Sequence, residues 1–181
     1  MQDADLRYPI GPLEIGPPPD AARRAELLAD LGDAPASLRA TVSGLSRTQL
    51  DTPYRLGGWT VRQVVHHLAD AHMNWYVRTR LALTEDRPVI KVFDETTWAE
   101  LPDARSGPVE TSLDVIDGLH SRWVEMFRAL TEEQWKREML HPERGALALD
   151  TVLQMLVWHL RHHTAHITEL RKRLDYSPTS L

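Results

Sequence analysis

The sequence predicts an all-α domain, most economically a four-helix bundle. Three observations carry that expectation. Four long stretches repeat apolar residues at steps of three and four, the period of an amphipathic helix. No stretch alternates apolar and polar residues convincingly enough for a strand. The segments between the four are rich in helix caps and breakers, the marks of connections between helices.

Residues 1–19 come first. Pro9, Pro12, Pro17, Pro18 and Pro19 lack amide donors and fix φ, so the segment reads as an extended arm over the surface of a domain spanning 20–181. From Asp20, a plausible N-cap, "DAARRAELLADLGDAPASLRATVSGL" has helical spacing, with Pro35 expected to kink the helix or mark a restart. "DTPYRLGG" (51–58) is a loop by composition. Thr60 and Gln63 then form a capping box, and the helix they open carries Val61, Val64, Val65, Leu68, Trp75 and Leu81 on its apolar side. Residues 87–108 hold too many breakers for one element and read as a crossover with a short helix near 94–101. A third long helix is expected over about 111–130, with Leu113, Ile116, Leu119, Trp123 and Phe127 in step. "TEEQW" (131–135) is a second capping-box signature. "HPERGALALD" reads as a loop ending in Asp150 as N-cap, and the last helix runs over about 151–174.

Composition excludes several function classes. The net charge of -5 argues against a nucleic-acid partner, which would want a basic face. The absence of cysteine removes disulfides, thiolate metal sites and a cysteine nucleophile. The proline-rich, acidic N-terminus does not read as a signal peptide, and no apolar run reaches the roughly 18 residues of a membrane span. A cytoplasmic protein acting on a small molecule, with no membrane partner, is the expectation. GxSxG, a glycine-rich phosphate loop, a Rossmann fingerprint and HExxH are all missing; "GGW" at 57–59 is a turn before a helix.

What stands out is histidine. The chain has nine, four of them in "WHLRHHTAH" at 158–166. Val152, Leu156, His159, His163, Ile167, Leu170 and Leu174 step by three or four, so two histidines occupy the apolar stripe of the last helix. His159 and His163 lie one turn apart, with Cβ atoms roughly 6 Å apart, close enough to converge on one ion. His162 and His166 form a flanking pair in the neighbouring register. On the second helix, adjacent His66 and His67 point about 100° apart, and periodicity alone leaves His67 and His72 as equal candidates for the interior. Against a metal stands the plainer reading of hydrogen-bonded core histidines, and the two weigh evenly on pattern alone. The isolated His120 and His141 are expected at the surface or capping an element. Trp59 and Trp98, at loop–helix junctions, are candidates to line a pocket.

"LDTPYRLGGWTVRQVVHHLADAHMN" (50–74), "LTEDRPVIKVFDETTWAEL" (83–101), "WHLRHHTAHITEL" (158–170) and "YPIG" (8–11) together resemble the YfiT-like branch of the DinB superfamily over essentially the whole chain. The resemblance implies a DinB-like four-helix bundle, commonly homodimeric, with one divalent metal, zinc or nickel, on three histidines. Carried onto this sequence the ligands are His67, as the second histidine of "HHLAD", and His159 and His163. It also implies one of two chemistries: metal-dependent hydrolysis by activated water, or S-transfer from a small thiol such as bacillithiol.

Three imidazole ligands leave positions open on the ion, the pattern of a catalytic site, whereas a structural zinc site normally has four protein ligands. A non-catalytic, metal-binding dimeric bundle is the remaining alternative, and a fourth ligand from His162 or His166 would favour it. Hydrolysis wants a base beside the attacking water. The nearest carboxylate in sequence is Asp70, which reads equally as a prop for a ligand and as a surface charge. Thiol transfer needs less of a base, so the reading leans that way. Residues 54–59 and 93–98 are the expected substrate loops.

Overall fold

A computed structural model describes residues 6–176. Four long helices dominate it: α1 (Ala21–Val42), α3 (Val61–Thr84), α6 (Val109–Arg128) and α8 (Leu149–Arg173). Between them lie the short helices α2 (Arg47–Leu50), α4 (Glu95–Ala99), α5 (Pro102–Ser106) and α7 (Glu132–Trp135), and a hairpin of β1 (Glu138–His141) and β2 (Gly145–Ala148). None of these helices is long and apolar enough to cross a membrane.

Caps set the boundaries largely where the sequence puts them. Asp20 accepts a bond from the Arg23 amide at 2.8 Å, and the capping boxes at Thr60 and Thr131 are both closed. A third box, Ser46 with Gln49, opens α2 and was not anticipated. Pro35 sits inside α1 without ending it, so no restart occurs. Residues 8–19 hold no regular element, although Leu6 and Arg7 are helical and a turn closed by the Gly11 amide on the Tyr8 carbonyl follows, so the arm is irregular rather than extended. Gln154 ties it to α8, accepting from the Gly16 amide at 3.0 Å.

Three expectations fail between 87 and 150. The crossover holds two short helices rather than one. The predicted loop at 141–150 belongs to an antiparallel hairpin pairing Met139 with Leu147. Each strand has four residues; β1 buries alternate side chains and β2 buries only Leu147, too brief a pattern for periodicity to register. Asp150 is not the N-cap: Ala148 holds that position with no side-chain bond. Asp150 lies in the first turn instead, buried against Arg24 at 2.7 Å.

α1 packs on α6 and α8, and α3 packs on the same two. Helices consecutive in sequence, α1 with α3 and α6 with α8, therefore stand on the diagonals, and α3 and α8 are neighbours. The apolar interior divides into two clusters. One gathers Leu31, Tyr76, Trp123, Phe127, Met139 and Leu153; the other gathers Leu38, Leu68, Ile116, Leu160 and Ile167. Each long helix crosses from one cluster to the other at mid-length. On α3, α6 and α8 the residues at that crossing include His72, His120 and His159.

Candidate metal centre

α3 carries His67 into the bundle and α8 carries His159 and His163, one turn apart. Each offers a ring nitrogen, and the three nitrogens lie within 4.8 Å of one another. Ring centroids are 5.2 Å apart for His67 and His159, 4.8 Å for His67 and His163, and 4.6 Å for His159 and His163. His67 Nε2 faces His159 Nε2 at 3.2 Å. Two ligands bound at ~2.05 Å in a tetrahedron sit about 3.3 Å apart, so this spacing suits a shared ion. His67 and His163 are buried, while His159 is partly exposed.

The electrostatics agree with that fit. Burial lowers His67 to about 4. It also pushes His159 and His163 well below the ordinary value, with neighbouring imidazoles adding to the effect. All three rings are therefore neutral near pH 7, the form in which an imidazole offers a lone pair to a metal. Trp59 covers them, its ring 4.6 Å from His67 and 6.3 Å from His163.

A wider set of histidines surrounds this trio. His72 resolves inward together with His67: its Nε2 is 3.2 Å from His159 Nδ1, and its Nδ1 is 2.9 Å from His120 Nε2. His120 is not at the surface as expected. It is 1% exposed and donates from Nδ1 to the Leu31 carbonyl at 2.8 Å. The signal was present in the 113, 116, 120, 123, 127 steps of α6, where His120 takes the place assigned to Leu119. On α8, His166 Nδ1 is 3.4 Å from His163 Nδ1, and its Nε2 donates to the Arg7 carbonyl at 3.1 Å. His162 stacks on Trp158 with centroids 4.4 Å apart, and its Nδ1 has no partner among the described residues. His66 faces away, to Ser112 Oγ at 2.8 Å and the Gly107 carbonyl at 3.3 Å. His141 is buried and does cap, accepting from the Glu143 amide at 3.2 Å.

Asp70 is not brought to the trio. Its carboxylate makes no hydrogen bond among the described residues, and its carbonyl accepts from Asn74. Burial, reinforced by Asp103, raises its carboxyl to about 6.

Two cavities reach the trio from different sides. The larger, about 440 Å³, is walled by Trp75, Arg78, Phe93, Glu95 and Trp158 and reaches His159. The smaller, about 350 Å³, is lined by Tyr8, Tyr54, Arg55 and Trp59 and reaches His163. Residues 93–96 of the expected substrate loop line the first, and Thr96 borders both; Trp98 lines neither and packs on Phe93 at 4.7 Å. Arg78, missed in the sequence, is 6% exposed, donates to the Lys91 carbonyl and lies 4.8 Å over the Trp75 ring.

Residues 30–167 match the family model described as the DinB superfamily. A protein of Bacillus cereus strain B4264 named "Putative metal-dependent hydrolase" is 48% identical over 172 residues, 95% of this chain and 99% of that one. A Bacillus thuringiensis subsp. konkukian protein of the same name matches at the same identity and coverage. Among solved structures, YfiT from Bacillus subtilis superposes with a TM-score of 0.94 at 44% identity, covering 96% of this chain and 99% of that one. It is described as "a probable metal-dependent hydrolase with an unusual four-helix bundle topology". In this chain the long helices consecutive in sequence stand on the diagonals. The chain belongs to the DinB superfamily.

Proposed function

We propose that this DinB-superfamily protein is a metal-dependent enzyme in which His67, His159 and His163 hold one divalent ion, zinc or nickel, and that it transfers a small thiol of the bacillithiol type to an electrophile. Such an ion supplies Lewis acidity, which favours the deprotonated form of a thiol or of water at neutral pH. The chain's own contribution is to keep three imidazoles neutral and convergent, to cover them with Trp59, and to present two compartments to them. In the transfer the thiol gives up its proton to solvent, its sulfur forms a bond to carbon, and a halide or similar group leaves with the bonding pair.

The observation that carries transfer over hydrolysis is the pair of cavities. Transfer joins two organic substrates, whereas hydrolysis needs one and a water. Among the described residues no carboxylate joins the cluster of three imidazoles, so a base for that water would have to come from the cavity wall, where Glu95 stands. Hydrolysis by activated water is the second reading, supported by the names of the relatives. Within either reading the protein works on a small molecule, in the cytoplasm and as a homodimer; light scattering at twice the chain mass would agree with the last.

Metal analysis comes first. The purified chain should carry about one divalent ion, and His67→Ala, His159→Ala or His163→Ala should bring this near zero while His141→Ala leaves it intact. The loaded protein is then incubated with bacillithiol and a halogenated electrophile, and separately with activated esters. Thioether formation supports transfer. Ester turnover without thioether selects hydrolysis, and inactivity in both arms selects a non-catalytic metal-binding bundle.

A further inference from the structure

We infer that His72, His120 and His166 are positioning residues that fix His159 and His163 in the Nδ1–H tautomer, so that each turns its Nε2 lone pair toward the ion; this rests on the metal-binding reading above. The inference starts from two backbone carbonyls, which can only accept.

The longer relay begins at Leu31. Its carbonyl lies 2.8 Å from His120 Nδ1, so that nitrogen carries the hydrogen. A neutral imidazole has one donor and one acceptor, which leaves His120 Nε2 to accept. Its partner at 2.9 Å, His72 Nδ1, must therefore donate. His72 Nε2 is then an acceptor and takes the hydrogen of His159 Nδ1 at 3.2 Å. What remains on His159 is an unprotonated Nε2, the atom that faces His67 Nε2. Reversing the polarity would set the His120 Nδ1 lone pair against the carbonyl lone pairs at a ring that is 1% exposed.

The shorter relay obeys the same logic. The Arg7 carbonyl takes the hydrogen of His166 Nε2 at 3.1 Å. His166 Nδ1 is then the acceptor for His163 Nδ1 at 3.4 Å, which frees His163 Nε2. The rings of both relays are neutral because they are buried, His159 in part, beside other imidazoles, and no carboxylate bonds any of them among the described residues. Two ligands are thus aimed through other histidines, of which His166 also borders the smaller cavity, and the crowding of histidine in 158–166 has a use beyond the ligands themselves. Partners of this kind raise ligand basicity and hold the ring, and losing one costs 10- to 100-fold in metal affinity on the usual scale.

The first test reads tautomers directly. Two-bond ¹H–¹⁵N spectra of the metal-free wild-type chain at about pH 8 should show Nδ1–H at His72, His120, His159 and His163, and Nε2–H at His166. Nε2–H at His159 or His163 overturns the proposal. The second test compares His120→Leu with His120→Gln, whose amide can both accept and donate. Competition with a chromogenic chelator should show zinc held about 10- to 100-fold more weakly by the leucine variant, with most of that recovered by glutamine. Equal weakening in both marks His120 as merely structural, and unchanged affinity in both also refutes the relay. Should the leucine variant fail to fold, the wild-type spectrum still decides. A wild-type chain that takes up no zinc overturns the metal reading, whereas the tautomers report on the relays alone.

Discussion

Replacing Asp150 by alanine separates two accounts of how α8 begins. As an N-cap, Asp150 would stabilise the chain by about 1 kcal/mol. The structure gives it a different task. Its carboxylate receives Arg24 Nε at 2.7 Å and Nη2 at 3.2 Å, a two-point contact joining the first turns of α1 and α8. Side-chain exposure is 10% for Arg24 and 6% for Asp150, so removing the carboxylate strands a buried guanidinium. Breaking such a pair costs about 3–5 kcal/mol. Glu132 still reaches Arg24 Nη1 at 2.6 Å from a side chain that is 68% exposed, and this places Asp150→Ala at the lower end, about 3 kcal/mol. For a chain of this size that lowers Tm by about 6–12 °C. Urea titration of the metal-free protein, with the m-value checked for constancy, measures it. The double variant Arg24→Met/Asp150→Leu should return most of the loss, because an apolar pair of similar volume leaves no buried charge. A single-variant loss of 1 kcal/mol or less would refute the ion-pair account and restore the cap.

Two further outcomes follow from neighbouring residues. Asp70→Asn should stabilise the protein at pH 7.5, because the folded state raises the Asp70 carboxyl from an ordinary 3.8 to about 6. The folded chain therefore binds this proton more tightly than the unfolded chain does, and stability falls as pH rises from about 4 to 6. A fully dry group would make that interval worth about 3 kcal/mol; with half of it solvated the gain is about 1, read as the difference between wild-type and variant denaturation curves at pH 7.5 and its disappearance near pH 4. Gly107→Ala should destabilise by about 1–3 kcal/mol. A Cβ there would stand 2.5 Å from the Asp103 carbonyl oxygen, and the Gly107 carbonyl, displaced, would lose its bonds from Arg62 and His66. Thermal unfolding no lower than wild type would show that the α5 turn yields freely.

The long helices were legible by their stripes, and α1 and α3 also by their caps, whereas α6 and α8 begin without a side-chain cap. Asp20, Thr60 and Thr131 all use the side chains that sequence assigns them. The hairpin was not legible, since what holds it is tertiary. Met139 and Leu147 are buried by the first core cluster, and the crossover lends a further rung through the Ile90 amide on the Leu140 carbonyl. Asp150 shows the same limit in charge. Its type and position fit a cap, and only the fold reveals an arginine 126 residues away.

The site follows a related rule. The His159/His163 stripe could be read from one helix, because both ligands belong to the same apolar face. Choosing between His67 and His72 could not be done that way, and the structure shows why: both rings point inward, one to the trio and one to the layer behind it. A histidine on an apolar face thus has two possible meanings, and periodicity does not separate them. What separates them is the last acceptor in the chain of bonds. For His120 and His166 that acceptor is a backbone carbonyl, on α1 and on the N-terminal arm respectively. A backbone carbonyl exists at every position, so no residue type in either segment signals the contact. The interior histidines of this bundle are ordered by groups that leave no mark in the sequence. The three convergent imidazoles are the visible end of a longer polar layer between two apolar cores.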